Sequence, residues 1–167
     1  ARLFEKASPT SRQYPDARMG LARVRRQLKD FDGAKAALEP FLEKGPPPWG
    51  RDVGAEALLA LADLHAARRD DKNERAALLA LWAPHPASAQ AVKAAHRLPS
   101  PAPASPAQVV ARADALIDSH LNLQGMALID PLIGTFKLPD PLACRAHFAL
   151  GKGQRKQRQH AKAAATL

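Results

Sequence analysis

Cys144 and His147 are the residues of this 167-residue chain that come nearest to a nucleophile and its base. A thiolate is a good nucleophile, and a neighbouring imidazole can accept its proton. Three residues apart on a helix, the two side chains can face the same side. A buried structural cysteine beside an ordinary histidine explains the same spacing without any reaction, and we favour that interpretation.

Asp114 and Asp118 lie four residues apart, so they share one face of a helix. Paired carboxylates can act as general acid and base, but charged helix positions are usually just solvated, and we expect that here. The six histidines lack the H-E-x-x-H spacing of a zinc site, and there is one cysteine. The sequence therefore predicts no metal site, no cofactor and no catalytic residue.

Small residues recur at an interval of 12 along the chain, in three pairs, two of which are followed by a proline after a further 12 residues. The pairs are Ala22 with Ala34, Ala115 with Ala127, and Gly151 with Ala163, and the prolines are Pro46 and Pro139. The spacing fits hairpins of two short helices that pack where no large side chain fits. A period of about 34 residues is typical of tetratricopeptide repeats.

The composition agrees with a helical fold. Hydrophobic residues make up 46% of the chain but aromatic residues only 5%, because much of the apolar content is alanine. Alanine has the highest helix propensity and buries little area, which suits closely packed helices with a thin core. No stretch of alternating β-branched residues predicts a strand.

Two segments resemble the tetratricopeptide consensus. In "LARVRRQLKDFDGAKAAL", the pair Leu21-Ala22 and then Ala34 match its large–small and small positions; in "LGKGQRKQRQHAKAAATL", Leu150-Gly151 and Ala163 do the same. Other positions depart from the consensus. The resemblance implies an all-α fold: a right-handed superhelical array of antiparallel helix pairs, built from degenerate repeats.

In such arrays the first helix of each pair lines the concave face, and the predicted register places cations there. These cations are Arg23, Arg26, Lys152, Arg155 and Lys156. With a formal net charge of +9 for the chain, they could hold carboxylates or phosphates by charge-assisted hydrogen bonds. A merely solvated basic face is the alternative. Phe148 is the aromatic residue predicted on this face, which disfavours single-stranded nucleic acid as the ligand.

Alanine-rich helices separated by proline-rich turns, as in "ALLALWAPHPASAQAVKAAHRL" (77–98), resemble the superhelical N-terminal region of soluble lytic transglycosylases. This resemblance implies a non-catalytic scaffold that binds or positions peptidoglycan in the periplasm or cell envelope. The family's catalytic module has a Glu-Ser pair and a Gly-Leu-Met-Gln stretch, and neither occurs in this chain. The alternative is a stand-alone tetratricopeptide adaptor, in the periplasm or the cytoplasm, with a protein or peptide partner in its groove.

Residues 99–106, with the sequence PSPAPASP, predict a proline-rich linker between helical repeat regions at 1–98 and 107–167. No apolar run reaches the length of a membrane span. The chain begins at alanine and stops inside a helical pattern, so we expect a mature or partial chain cut off at its C-terminus.

Overall fold

The computed structural model describes residues 2–42, 52–135 and 137–167, with side chains from residue 4 onwards. Its α-helices, in chain order, are α1 Arg2–Glu5, α2 Tyr14–Gln27, α3 Phe31–Leu38, α4 Val53–Ala67, α5 Asp71–Trp82, α6 Ala89–Arg97, α7 Pro106–Asp118, α8 Asn122–Thr135, α9 Asp140–Lys156 and α10 His160–Thr166. A 3-10 helix, Glu39–Phe41, follows α3. These described residues contain no strand, so the predicted all-α class is confirmed.

The chain divides into two compact units, residues 1–81 and residues 82–167. In the first unit, α2 packs against α1, α3 and α4, and α3 also packs against α4. In the second unit, α7 packs against α8 and α9, α8 packs against α9, and α9 packs against α10. The predicted linker at 99–106 lies within the second unit, and its last residue is the first of α7. Its role as a boundary between domains stays a prediction.

The turns that follow α2, α4, α7 and α9 have the same backbone structure. In each turn a residue other than glycine adopts a left-handed conformation, with φ between 58° and 63°; these residues are Lys29, Arg69, His120 and Arg158. The next residue donates its N–H to the carbonyl five positions back, as Asp30 does to Arg25 at 2.9 Å. Together with the bond from Lys29 N–H to the Arg26 carbonyl, this is the Schellman ending of a helix.

A small buried residue lies seven positions before each of these turn residues. These small residues are Ala22, Ala62, Ala113 and Gly151. The turn and the small position therefore recur together, which fixes where each first helix approaches its neighbours.

One of the predicted pairs of small residues is shifted by two positions. Ala113 and Gly125 are buried, whereas Ala115 is only half-buried and Ala127 is exposed. A Cβ atom on Gly125 would lie 2.6 Å from the carbonyl oxygen of Ala113, so α8 approaches α7 at Gly125. The predicted close contact at Ala127 is therefore wrong.

The other predicted small positions are buried. They are Ala22, Ala34, Gly151 and Ala163. Pro139 directly precedes α9, and Pro46 lies outside the described residues.

Local sequence signals explain how the helices around the candidate site begin. Ser105 accepts a hydrogen bond from the Gln108 N–H at 3.3 Å, and the Gln108 side chain accepts one from the Ser105 N–H at 2.9 Å. This capping box satisfies two N–H groups at the start of α7, and Pro106 occupies a first-turn position that needs no N–H donor. Pro139 and Pro141 likewise mark the start of α9.

Candidate functional site

A pocket of about 210 Å³ lies in the second unit, where α7 and α9 pack together. Val110 and Asp114 line it from α7, and Cys144, Arg145 and Phe148 line it from α9. Phe148 is a large apolar side chain and yet is 60% exposed. Ligand pockets are typically lined by apolar and aromatic side chains with a small number of polar groups, as this pocket is.

The volume of the pocket limits its occupant. A cavity of about 150 Å³ can hold a benzene ring, whereas sites for drug-sized ligands measure roughly 300–1,000 Å³. The pocket is therefore large enough for one apolar side chain of a partner and too small for a large cofactor.

Lys152, on α9, forms ion pairs with two aspartates of α7. Its ammonium group donates a hydrogen bond to Asp118 Oδ1 at 2.9 Å and also forms an ion pair with Asp114 Oδ1. The Lys152 side chain is only 15% exposed, so much of this contact is shielded from water. Lys156 Nζ donates to the Ile117 carbonyl at 2.6 Å and lies 3.7 Å from Asp118 Oδ1. Two of the predicted binding cations are thus held by groups at the end of α7.

These contacts change how the two charged partners titrate. The hydrogen bond from Lys152 lowers the pKa of Asp118 below its usual value, and the charges of Lys152 and Lys156 lower it further. Burial would by itself lower the pKa of Lys152. Its hydrogen bonds and charge interactions with Asp114 and Asp118 outweigh that effect, so its pKa is raised. Both shifts favour the ion pair at neutral pH.

The remaining predicted cations have different surroundings. Arg23 is exposed on α2, and Arg26 Nη1 lies 3.6 Å from Asp63 Oδ2 on α4, both in the first unit. Arg155, on α9 in the second unit, is exposed. The predicted basic face is therefore divided between the two units, and three of its five cations are engaged by acidic groups of the chain itself.

Cys144 and His147 are both exposed on α9. The expectation of a buried structural cysteine is therefore wrong. Within the described part of the chain, no hydrogen bond joins the thiol to this histidine. The described residues also contain no cluster of histidine, cysteine and carboxylate side chains suited to a metal ion.

Phe148 is exposed and lies four residues before Lys152 on α9, so the two residues share a helix face. Its place on a concave face stays a prediction. Val110 and Arg145, which complete the pocket, were not predicted from the sequence. The spacing of Val110, Asp114 and Asp118 by four residues could have indicated that α7 presents one face to α9, because residues four apart share a helix face.

Comparisons of the chain with models of known protein families, with curated proteins and with solved structures gave no match. Among the described residues, no helix combines the length and the apolar character that crossing a bilayer requires.

Proposed function

We propose that this chain is a non-catalytic helical-repeat scaffold that binds a polypeptide segment of a partner protein in the groove between α7 and α9. The pocket beside the exposed Phe148 is the observation that carries the proposal. A side chain of the partner fills that pocket, while the helices on either side provide a rigid frame. Binding surfaces built on rigid elements lose less entropy when a partner docks.

The packing of the helices supports a repeat architecture. First helices of successive pairs touch each other, as α7 touches α9 and α2 touches α4. This is the arrangement by which stacked hairpins form an extended concave surface in helical-repeat proteins. We therefore propose that the pairs are antiparallel and follow a right-handed superhelix of degenerate tetratricopeptide type.

The resemblance to the N-terminal region of soluble lytic transglycosylases stays a prediction, together with the periplasmic or cell-envelope location. If that resemblance reflects function, the positive charge of the chain should attract the anionic wall polymer. Purified peptidoglycan should then sediment this chain at low ionic strength, and less of it as salt is added. No co-sedimentation at low salt would remove the wall-binding role but leave the polypeptide-binding role untouched.

The polypeptide-binding proposal can be tested without knowledge of the natural partner. A library of random displayed peptides is selected against the chain, and the selected peptides are titrated against three proteins: wild type, Phe148→Ala and Leu123→Ala. Leu123 is the matched control, because it is 67% exposed on α8 of the same unit but does not line the pocket.

We expect Phe148→Ala to weaken the binding of the selected peptides by about tenfold or more, as truncation of a central aromatic residue does at protein interfaces. Leu123→Ala should change the affinity less than about twofold, as expected of a residue outside an interface. A bound peptide should also slow the alkylation of Cys144, which lines the pocket. Selected peptides that bind Phe148→Ala as tightly as wild type, with Cys144 equally reactive, would overturn the proposal.

A further inference from the structure

The second unit is strongly basic. Between residues 82 and 167 the chain has ten lysines and arginines against four aspartates and no glutamate, a net charge of +6. Two of the four aspartates, Asp114 and Asp118, lie in the groove, and both are bound to Lys152. Their charge is therefore compensated within the chain and repels an acidic ligand only weakly.

Two arginines of α9 differ from Lys152 in their surroundings. Arg145 lines the pocket, and Arg155 lies further along the same helix. Both side chains are exposed, and neither has an ion pair with a residue in the described ranges. Phe148 lies between them in sequence, about 4.5 Å along the helix axis from Arg145 and about 10 Å from Arg155 at 1.5 Å per residue.

We infer that the segment bound in this groove is an acidic peptide that has one large apolar side chain flanked by carboxylates. This inference rests on the proposed polypeptide-binding function. The apolar side chain occupies the pocket beside Phe148. One carboxylate, two residues before it in the peptide and so on the same face of the extended chain, accepts hydrogen bonds from Arg145. An extended chain advances about 3.3 Å per residue and points successive side chains to opposite faces, so a second carboxylate on the groove side, four residues after the apolar side chain, lies about 13 Å along the peptide, within reach of Arg155.

The observations favour a peptide over single-stranded nucleic acid. Proteins that bind single strands stack successive bases on several aromatic side chains. In this groove Phe148 is the aromatic side chain that lines the pocket, and the other lining residues are Val110, Asp114, Cys144 and Arg145. A guanidinium group beside an apolar pocket instead matches a carboxylate beside an apolar side chain.

The test uses a short synthetic peptide with blocked ends, labelled with fluorescein and followed by fluorescence anisotropy. It has one tryptophan, a glutamate two residues before it, another glutamate four residues after it, and alanine or serine elsewhere. Two further peptides are the controls: one has glutamine in place of both glutamates, and the other has alanine in place of the tryptophan. The full chain is titrated as wild type and as Arg145→Gln, Arg155→Gln, Phe148→Ala and Lys93→Gln.

Lys93→Gln is the matched charge control, because Lys93 is exposed on α6 of the same unit and does not line the pocket. We expect the acidic peptide to bind at least about tenfold more tightly than the glutamine peptide at low salt, and this advantage to shrink as salt is added. Arg145→Gln and Arg155→Gln should each remove much of the preference for the acidic peptide without weakening the binding of the glutamine peptide. Lys93→Gln should change the affinity for either peptide by less than about twofold.

Different outcomes would contradict the specificity for an acidic peptide and the polypeptide-binding function. If the glutamine peptide binds as tightly as the acidic one while Phe148→Ala weakens both, the acidic specificity is wrong and the polypeptide-binding function stands. If neither peptide binds, the acidic specificity is wrong, and the selection of displayed peptides alone decides the polypeptide-binding function. If both peptides bind and Phe148→Ala changes nothing, both proposals fail. A short single-stranded oligonucleotide that displaces the acidic peptide from wild type but not from Arg145→Gln would assign the groove to nucleic acid and overturn the inference.

Discussion

At Gly125, α8 comes so close to α7 that a side chain has no room. A Cβ atom there would lie 2.6 Å both from the Ala113 carbonyl oxygen and from Ile117 Cγ1, far inside the range of ordinary contacts. Since the Ala113 carbonyl is part of the backbone of α7, the clash cannot be relieved by turning one side chain. At Gly134, further along α8, a Cβ atom would meet nothing within 4 Å.

We expect replacement by alanine to have opposite effects on the free energy of unfolding at these two positions of α8. Gly125→Ala should lower the free energy of unfolding by about 2–3 kcal/mol, because it overpacks the contact between α7 and α8. Gly134→Ala should raise it by about 0.5–1 kcal/mol, because alanine is the better helix former and meets no neighbour. Urea denaturation measures both values. Equal effects of the two substitutions would contradict the close approach at Gly125.

The ion pair of Lys152 predicts a pH dependence of stability. The pKa of Asp118 is lowered in the folded chain, so its contribution is present above the unfolded value of about 3.9 and is lost as the pH falls through the lower folded pKa. The pKa of Lys152 is raised, so its contribution is present below about 10.4 and is lost as the pH rises through the higher folded pKa. The pair therefore stabilises the fold across the whole range between.

We expect Lys152→Met to lower the free energy of unfolding by about 1 kcal/mol at neutral pH, a value between those of exposed and buried pairs. The difference from wild type should shrink as the pH falls below about 4, because the unfolded chain then takes up a proton at Asp118 at a higher pH than the folded wild-type chain does. Lys162→Met on α10, where the lysine is exposed, is the control and should show little difference at any pH. A constant difference between Lys152→Met and wild type from neutral to acid pH would show that the ion pair does not stabilise the fold.

At the scale of helices, the four shared turns all place a basic side chain where glycine is the usual residue. Lys29, Arg69, His120 and Arg158 each adopt a positive φ, which crowds the Cβ atom. The positive charges of Lys29, Arg69 and Arg158 also lie at a helix C-terminus, where they interact favourably with the helix dipole. The two effects oppose each other, and a comparison of two variants separates them.

Arg158→Gly and Arg158→Ala both remove the guanidinium group after α9, so the loss of helix-dipole energy is the same in each. The glycine variant should be more stable than the alanine variant by about 1 kcal/mol, because only glycine adopts the left-handed conformation without strain. Thermal denaturation of the two variants side by side measures the difference. Equal stability would mean that Arg158 does not hold this conformation in solution.

Much of the secondary structure could be predicted from the sequence, since proline and alanine are strong local signals. The buried pair Ala22 and Ala34 has the predicted spacing. Pro15 and Asp16 lie in the first turn of α2, where proline and an acidic residue favour the start of a helix. The spacing alone does not distinguish Ala113 and Gly125 from Ala115 and Ala127, because the residues of both pairs are small and both pairs are 12 residues apart. Only packing against Ile117 distinguishes them, and that contact is not written in the spacing.

The site was harder to predict than the helices for a related reason. The sequence marks Lys152 and Lys156 as cations with the correct helical spacing. Their partners Asp114 and Asp118 lie more than thirty residues earlier, and they meet the lysines only because α7 packs against α9. Counting charges along one helix therefore overestimates how many of them are available to a ligand.

The two compact units differ in net charge. Residues 1–81 have 15 lysines and arginines against 12 acidic residues, so their net charge is +3, half that of residues 82–167. Long-range attraction to acidic partners should therefore be stronger for the second unit, the same unit that contains the pocket beside Phe148.

The division into units also predicts which fragment folds. The Arg112 guanidinium lies 4.2 Å from the centre of the Trp82 ring and donates a hydrogen bond to the Trp82 carbonyl. Burial lowers the pKa of Arg112, as expected of a cation partly removed from water. A fragment of residues 82–167 keeps this contact, whereas a fragment that starts after the predicted linker, residues 107–167, leaves Arg112 without its partner.

We expect the 82–167 fragment to unfold cooperatively in urea and to be more stable than the 107–167 fragment by at least about 2 kcal/mol. The cation–π contact and the hydrogen bond together account for roughly 1–3 kcal/mol of that difference. In the 82–167 fragment, Arg112→Ala should lower the free energy of unfolding by part of this difference. Two equally stable fragments would instead place the boundary at the proline-rich residues 99–106, because α7, α8, α9 and α10 would then need nothing from the preceding segment.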